Sequence, residues 1–350
     1  MKEILSEHKK RYPGMEVQDV VKLLYQSEFG NGHMITEPDQ AMDQLEKEYQ
    51  EVQKYSGAAK IRNPAVEYIG GDYCRVYLNQ LPAGLSLMTL NRLFVLSAGL
   101  SRGNQTSFEE KLNRFSRWTR EGITGFSEAE VELYLTEYQH QGCPVVSHST
   151  PYRSLYQPAY RVIAEAYASH LAMLADIDRI LLAREESETV LVAIDGQSAS
   201  GKTTLAVLIQ QVYDCNLFHM DDFFLPPQLR TPERLAEVGG NVDYERFQQQ
   251  VLEPLQRGDD IRYQIYDCRQ QKLTTWAEVP ARRLNLIEGA YSCHPYFGPC
   301  YHLTYCLTID AEEQQRRILK RNGEAMLKRF VEEWIPKENA YLEQFGIRKE

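Results

Sequence analysis

The stretch Val190-Leu191-Val192-Ala193-Ile194-Asp195-Gly196-Gln197-Ser198-Ala199-Ser200-Gly201-Lys202-Thr203-Thr204 decides the fold of the second half of this chain. Val190–Ile194 is an unbroken apolar run, the signature of a strand buried on both faces of a parallel sheet. The residues after it, Gly196 to Thr203, match G-x4-G-K-[ST] in full. A helical pattern over Thr203–Val212 follows at once. Strand, glycine-rich turn and helix in this order form a phosphate cradle. The glycines let the backbone curl so that amide N–H groups point at an anion, and the helix N-terminus adds the positive end of its dipole. Gly196, Ser198, Ala199, Ser200, Gly201, Lys202, Thr203 and Thr204 are therefore the expected phosphate-binding residues. Lys202 has the reach for β- and γ-phosphates, and the Thr203 hydroxyl suits Mg²⁺. ATP and Mg²⁺ are the expected ligands.

Further apolar runs at Leu284–Ile287 and Leu303–Ile309 alternate with helical patterns such as Glu312–Lys320. Alternation of this kind implies an α/β fold, a parallel sheet flanked by helices, with ligands bound beyond the carboxyl ends of the strands. Polar residues gather at those ends. Phe218-His219-Met220-Asp221-Asp222-Phe223-Phe224 offers two carboxylates, one of which can orient a hydroxyl and take its proton; a turn or helix-cap aspartate is the alternative. Glu288 closes the run Leu284–Ile287 and suits Mg²⁺, directly or through water. Arg317 and Arg321 share a helix face and can offset charge on a transferring phosphoryl group, unless that face is simply solvated.

Together these segments make the C-terminal half resemble the uridine kinase and phosphoribulokinase family of P-loop kinases, over roughly residues 188–350. The resemblance rests on Gln197–Thr204, on Met220-Asp221-Asp222-Phe223-Phe224, on Asn241-Val242-Asp243 with Arg246-Phe247, on Tyr266-Asp267, on Ile287-Glu288-Gly289 and on the helix Arg316–Arg321. It implies a kinase that moves the γ-phosphate of ATP to a hydroxyl of a small acceptor. It also implies Asp221 as general base, Asp243, Tyr266 and Asp267 as acceptor-binding residues, and a lid helix carrying Arg317 and Arg321. Uridine kinases usually follow the Tyr-Asp pair with a histidine used on the nucleoside; here Gln271 stands near its place. The acceptor is thus open between a nucleoside and another molecule, such as pantothenate, a sugar phosphate or a hydroxy acid. A nucleotide-binding regulatory module without kinase activity is the rival of a different class.

The first half reads as mainly helical. Val17, Val20, Val21 and Leu24 recur at helical spacing, as do Leu87, Leu90 and Phe94, and Tyr73–Leu78 alternates like a short strand. A long helix is expected from Pro158 to about Ala183. The charged run Arg184-Glu185-Glu186-Ser187-Glu188 marks the expected boundary between residues 1–186 and 187–350. Two clusters stand out before it: Glu28-Phe29-Gly30-Asn31-Gly32-His33, and the stretch His148–Arg161 with Tyr152, Arg153, Tyr156, Tyr160 and Arg161. They suit either an anionic ligand or internal packing.

Composition sets outer bounds. Hydrophobic residues make up 43% and charged residues 25% of 350, an ordinary globular balance. A net charge of −10 argues against a general nucleic-acid binder. No apolar run reaches the roughly 18–20 residues of a membrane span. The seven scattered cysteines form no CxxC pair, which suits reduced thiols. The expectation is a soluble cytoplasmic protein with no nucleic-acid or membrane partner; its oligomeric state is not legible.

Overall fold

The computed structural model describes residues 1–31, 38–55 and 63–347. They divide into two compact units, Met1–Asp178 and Arg179–Glu350. No helix among the described residues is long and apolar enough to cross a membrane.

The first unit is mostly helical, with one small sheet. The helix Val17–Phe29 lies at its centre, its Val17, Val20, Val21, Leu23 and Leu24 buried as the helical spacing requires. Its start is set by a capping box in which the Glu16 amide donates to Asp19 Oδ2 at 2.9 Å. Against it pack the helices Gln105–Arg120 and Glu128–His140 through Phe108, Leu112, Phe115, Val131 and Leu135. Strands β1 (Val66–Gly70), β2 (Tyr73–Tyr77) and β3 (Tyr160–Ala164) form an antiparallel sheet with β2 in the middle. Gly71, in the β1–β2 turn, has φ +64°, and a Cβ there would lie 1.7 Å from the Ser27 carbonyl oxygen, so only glycine fits.

Strand β3 corrects the expected helix from Pro158. Tyr160–Ala164 pairs with β2 in register, Tyr160 opposite Tyr77 and Ala164 opposite Tyr73, and after a single helical turn at Glu165–Ala168 the long helix begins only at Leu171. The Tyr-Arg-Val-Ile sequence suits a pleated, packed surface. The free edge of β2, invisible in a local window, supplies the ladder.

Most of the polar cluster within His148–Arg161 is internal structure, whereas Arg153 is exposed. Burial pushes the His148 imidazole down to about 4, against its hydrogen bond to Asp19, so it is neutral at pH 7. It donates from Nδ1 to Asp19 Oδ1 at 2.8 Å and accepts from the Tyr160 hydroxyl at 2.7 Å. Tyr152 stacks on its ring, the Tyr156 hydroxyl accepts from the Gly14 amide, and Arg161 pairs with Glu48 at 2.6 Å. Beneath them Arg75 is wholly buried, held by Gln26 Oε1 at 2.7 and 3.0 Å and by Glu67 at 3.4 Å. Burial opposes the charge on Glu67, but hydrogen bonding to His8 and the charge of Arg75 hold its carboxyl far below the usual range. Of the other cluster, Gly32 and His33 lie outside the described residues.

The second unit is α/β. Strands β4 (Val190–Gly196), β5 (Cys215–His219), β8 (Leu284–Glu288) and β9 (Leu303–Leu307) form a parallel sheet in the order β5-β8-β4-β9. β4 is buried along its whole length, as the unbroken apolar run predicts. Helices Lys202–Val212 and Ala311–Asn322 follow β4 and β9. A separate hairpin joins β6 (Ile261–Asp267) to β7 (Lys272–Val279). Phe218, Phe223, Phe247, Val251 and Tyr263 build a second core beside the sheet; complete burial of one such phenylalanine contributes about 1.5–3 kcal/mol.

The charged run is tied to this second unit. Arg283, just ahead of β8, donates to the carbonyls of Leu181 at 2.6 Å and Arg184 at 2.8 Å and pairs with Glu186 at 2.9 Å. A fragment beginning at Arg179 keeps these partners, whereas one beginning at Ser187 leaves the partly buried guanidinium without them, a loss of about 1–3 kcal/mol. The 179–350 fragment should therefore melt cooperatively, and several degrees above 187–350, in circular dichroism scans. Equal melting temperatures would show that the segment 179–186 adds nothing to the unit.

Candidate active site

Parallel register brings the polar strand ends together. Ile194 of β4 and His219 of β5 both lie level with Glu288 of β8, so Asp195, Met220 and Gly289 lie side by side at the strand ends. The turn after β4 takes the curl expected from sequence. Gly196 has φ +130°, and a Cβ there would sit 1.9 Å from the Leu307 carbonyl oxygen on β9. Gly201, at φ +104°, is the N-cap of the helix Lys202–Val212. The first amides of that helix have no intrahelical acceptor. The Lys202 ammonium folds back over the loop and donates to the Gly196 and Gln197 carbonyls, both at 2.9 Å.

Beneath the loop lies Asp195, which is fully buried. Its carboxylate accepts from the amides of Gly196, Tyr291 and Cys293 at 2.6, 3.1 and 2.8 Å, and from the Tyr341 hydroxyl at 2.6 Å. Burial pushes this carboxyl up in spite of those donors.

Glu288 is buried at the mouth of β8. It accepts from Thr203 Oγ1 at 3.1 Å and from His219 Nδ1 at 2.6 Å. The bond to Glu288 raises the His219 imidazole against the cost of burial. Thr203 and Glu288 are thus neighbours, and a hydroxyl beside a carboxylate is a donor set of hard oxygens that suits Mg²⁺.

Asp221 and Asp222 fall on the turn Met220–Phe223. Met220 and Phe223 are the buried members, at 1% and 0% exposure, which turns the two aspartates outward. Their environments differ. Asp222 accepts from the Tyr263 hydroxyl at 3.3 Å, and its backbone carbonyl accepts from Arg246 at 2.9 Å. The Asp221 carboxylate accepts no hydrogen bond from the described residues. Lost hydration and then the nearby Glu288 charge raise its carboxyl above the ordinary aspartate range. A carboxylate raised in this way is a stronger base than a free aspartate.

Other residues singled out from sequence are already engaged. Asp243 caps the turn Tyr244–Phe247 through the Arg246 amide at 3.1 Å and pairs with the Arg246 guanidinium at 3.2 Å. Asp267 turns away into its own hairpin, accepting from the Arg269 and Gln270 amides at 2.7 and 2.9 Å. The Tyr266 hydroxyl accepts from Arg230 at 2.6 Å. Arg317 reaches the loop, donating to the Ala199 carbonyl at 3.2 Å, while Arg321 remains exposed beside Asn322. No motif in the sequence assigns a role to Asp195, His219, Glu338 or Tyr341. Asp195 and His219 stand within the quoted segments, each at a strand end, which was the available signal. Glu338 and Tyr341 are more than 130 positions from the loop they touch, and nothing local marks them.

No family model matches the chain, and no curated protein matches it. Solved structures do. The chain is similar to one from Bacillus stearothermophilus named "Possible Uridine Kinase", with 21% identity over 51% of this chain and 97% of that one and a TM-score of 0.38. It is also similar to one from Silicibacter sp. TM1040 named "putative fructose transport system kinase", with 22% identity over 46% of this chain and 89% of that one and a TM-score of 0.40.

Proposed function

We propose that the second unit is a small-molecule kinase, transferring the γ-phosphate of ATP to a hydroxyl of a small acceptor. The observation that carries this reading is the convergence, at the ends of three adjacent parallel strands, of a complete phosphate loop with Lys202, a Thr203–Glu288 oxygen pair, and the unengaged carboxylate of Asp221. A regulatory nucleotide switch needs the first two but has no use for the third.

The loop amides and Lys202 hold the triphosphate and align it. Thr203 and Glu288 would hold Mg²⁺, which when bound neutralises phosphate charge. Asp221 orients the acceptor hydroxyl for in-line attack. The new bond joins the acceptor oxygen to the γ-phosphorus, the bond from that phosphorus to the bridging oxygen breaks, ADP leaves, and the hydroxyl proton passes to Asp221. Arg317, already at the loop, can donate to the transferring group. Most of the rate gain in such a site comes from positioning and fixed charge rather than covalent chemistry. Because Asp243 and Asp267 are tied into local structure, their part in the acceptor site is to shape it. Whether the acceptor is a nucleoside is decided by a panel of nucleosides, vitamins, sugars and hydroxy acids assayed for ATP consumption.

Two substitutions test the roles. Lys202→Ala should keep the circular dichroism spectrum of the parent and lower turnover by about 10²-fold or more, with weaker Mg-ATP binding in calorimetry. Unchanged affinity and turnover would remove the phosphate loop from the reaction. Asp221→Asn keeps the size of the side chain but cannot take a proton. With the best acceptor of the panel, its kcat should fall by about 10²–10⁴-fold while ATP affinity stays close to that of the parent. Asp222→Asn should be milder, since Asp222 is held by Tyr263. If Asp222→Asn is the variant that loses kcat, the base has been assigned to the wrong aspartate.

A further inference from the structure

The last helix of the chain, Ile335–Gln344, grips the phosphate loop from outside. Glu338 is buried at 5% exposure, and both its oxygens go to a single loop residue. Oε2 accepts from the Ser198 amide at 2.7 Å, and Oε1 accepts from the Ser198 hydroxyl. Beside it, Asn339 Oδ1 accepts from Gln197 Nε2 at 2.8 Å. One turn on, the Tyr341 hydroxyl donates to Asp195, the carboxylate under the same loop. Glu338 and Tyr341 are three apart and so share a helix face.

The outer turn of the loop is held from a second side as well. Gln314 donates to the Ser198 carbonyl at 2.9 Å, Arg317 reaches the Ala199 carbonyl, and Gln197 Oε1 accepts from the Ile309 amide at 3.0 Å. Ala199 carries a side chain at φ +60°, a strained conformation that persists only where its surroundings impose it. The Glu338 carboxylate, fixing the residue just before, is one of the groups that impose it.

We propose that Glu338 is a positioning residue for phosphate binding: it holds the outer turn Gln197–Ala199 in the curl that leaves the amides from Gly201 onward facing the ligand. The inference rests on the reading of this loop as a phosphate site. A carboxylate beside an anion site invites the opposite idea, that it occupies the phosphate position and must be displaced. The geometry opposes that idea. Glu338 lies near enough to feel the Lys202 charge, yet that ammonium donates to the Gly196 and Gln197 carbonyls and not to Glu338, and Glu338 takes only the donors of Ser198 and none from Gly201 onward.

The two ideas predict opposite signs in one measurement. Calorimetric titration of the full chain with Mg-ADP should show Glu338→Ala binding about 10- to 100-fold more weakly than the parent, the equivalent of one charge-assisted hydrogen bond. Glu338→Gln keeps one acceptor oxygen and should recover a large part of that loss, and Ser198→Ala, which removes the hydroxyl from the other side, should fall between the parent and Glu338→Ala. The ligand-free melting temperatures of Glu338→Gln and Ser198→Ala should stay near that of the parent, separating loop positioning from general destabilisation. Affinity equal to the parent in Glu338→Gln and Ser198→Ala, or in Glu338→Ala if it folds, overturns the proposal. Tighter binding overturns it in favour of competition. A parent chain that binds no Mg-ADP overturns instead the phosphate-site reading on which the proposal stands.

Discussion

A single buried carboxylate organises the second unit. Asp195 ends the central strand with no solvent around it and must find donors within the protein, because an unpaired buried charge is too costly to keep. It finds them in three places: the first residue of its own loop, the chain leaving β8, and the last helix. Each donor fixes a different segment. The Gly196 amide sets where the phosphate loop begins, the Tyr291 and Cys293 amides fold the segment after Glu288 across the strand ends, and the Tyr341 hydroxyl draws in the helix that carries Glu338. Satisfying one carboxylate thereby builds the floor of the site.

Above that floor the polar groups divide into those bonded into the scaffold and those that the proposed function assigns to ligands. Asp243, Asp222, Arg246 and Asp267 are bonded to neighbouring backbone or side chains, which makes them parts of the scaffold. Asp221, the first amides of the helix after the loop, and the Thr203–Glu288 pair are the groups whose capacity faces outward. The turn Met220–Phe223 produces this division by simple packing: burying Met220 and Phe223 against the aromatic core points the aspartates between them away from it.

The first unit follows another logic. Its most conspicuous charged residues face one another. Arg75, Glu67, Gln26, Tyr77 and Tyr12 satisfy each other in the interior, and His148, Asp19, Ser149 and Tyr160 do the same beside them. A network of this kind is stable only when complete, since each partner removed strands another. It fixes the sheet β1–β2–β3 against the helix Val17–Phe29.

The local sequence was enough to determine the elements whose signals are contiguous. Val190–Ile194 had to be a buried strand because it is apolar without alternation, Gly196–Thr203 had to curl because its glycines bracket a turn between strand and helix, and Lys202–Val212 had to be a helix because its apolar residues repeat at helical spacing. The candidate site residues on these elements were legible for the same reason. Contacts between distant segments were not. Tyr160–Ala164 became a strand because β2 offered it an edge, Asp243 and Asp267 became scaffold because Arg246 and a hairpin turn took their oxygens, and Glu338 reached Ser198 only because the last helix packs beside Asp195. Backbone propensity and spacing act within a few residues, so a sequence displays them; the pairing of buried charges depends on which segments packing brings together, and only the folded chain decides that.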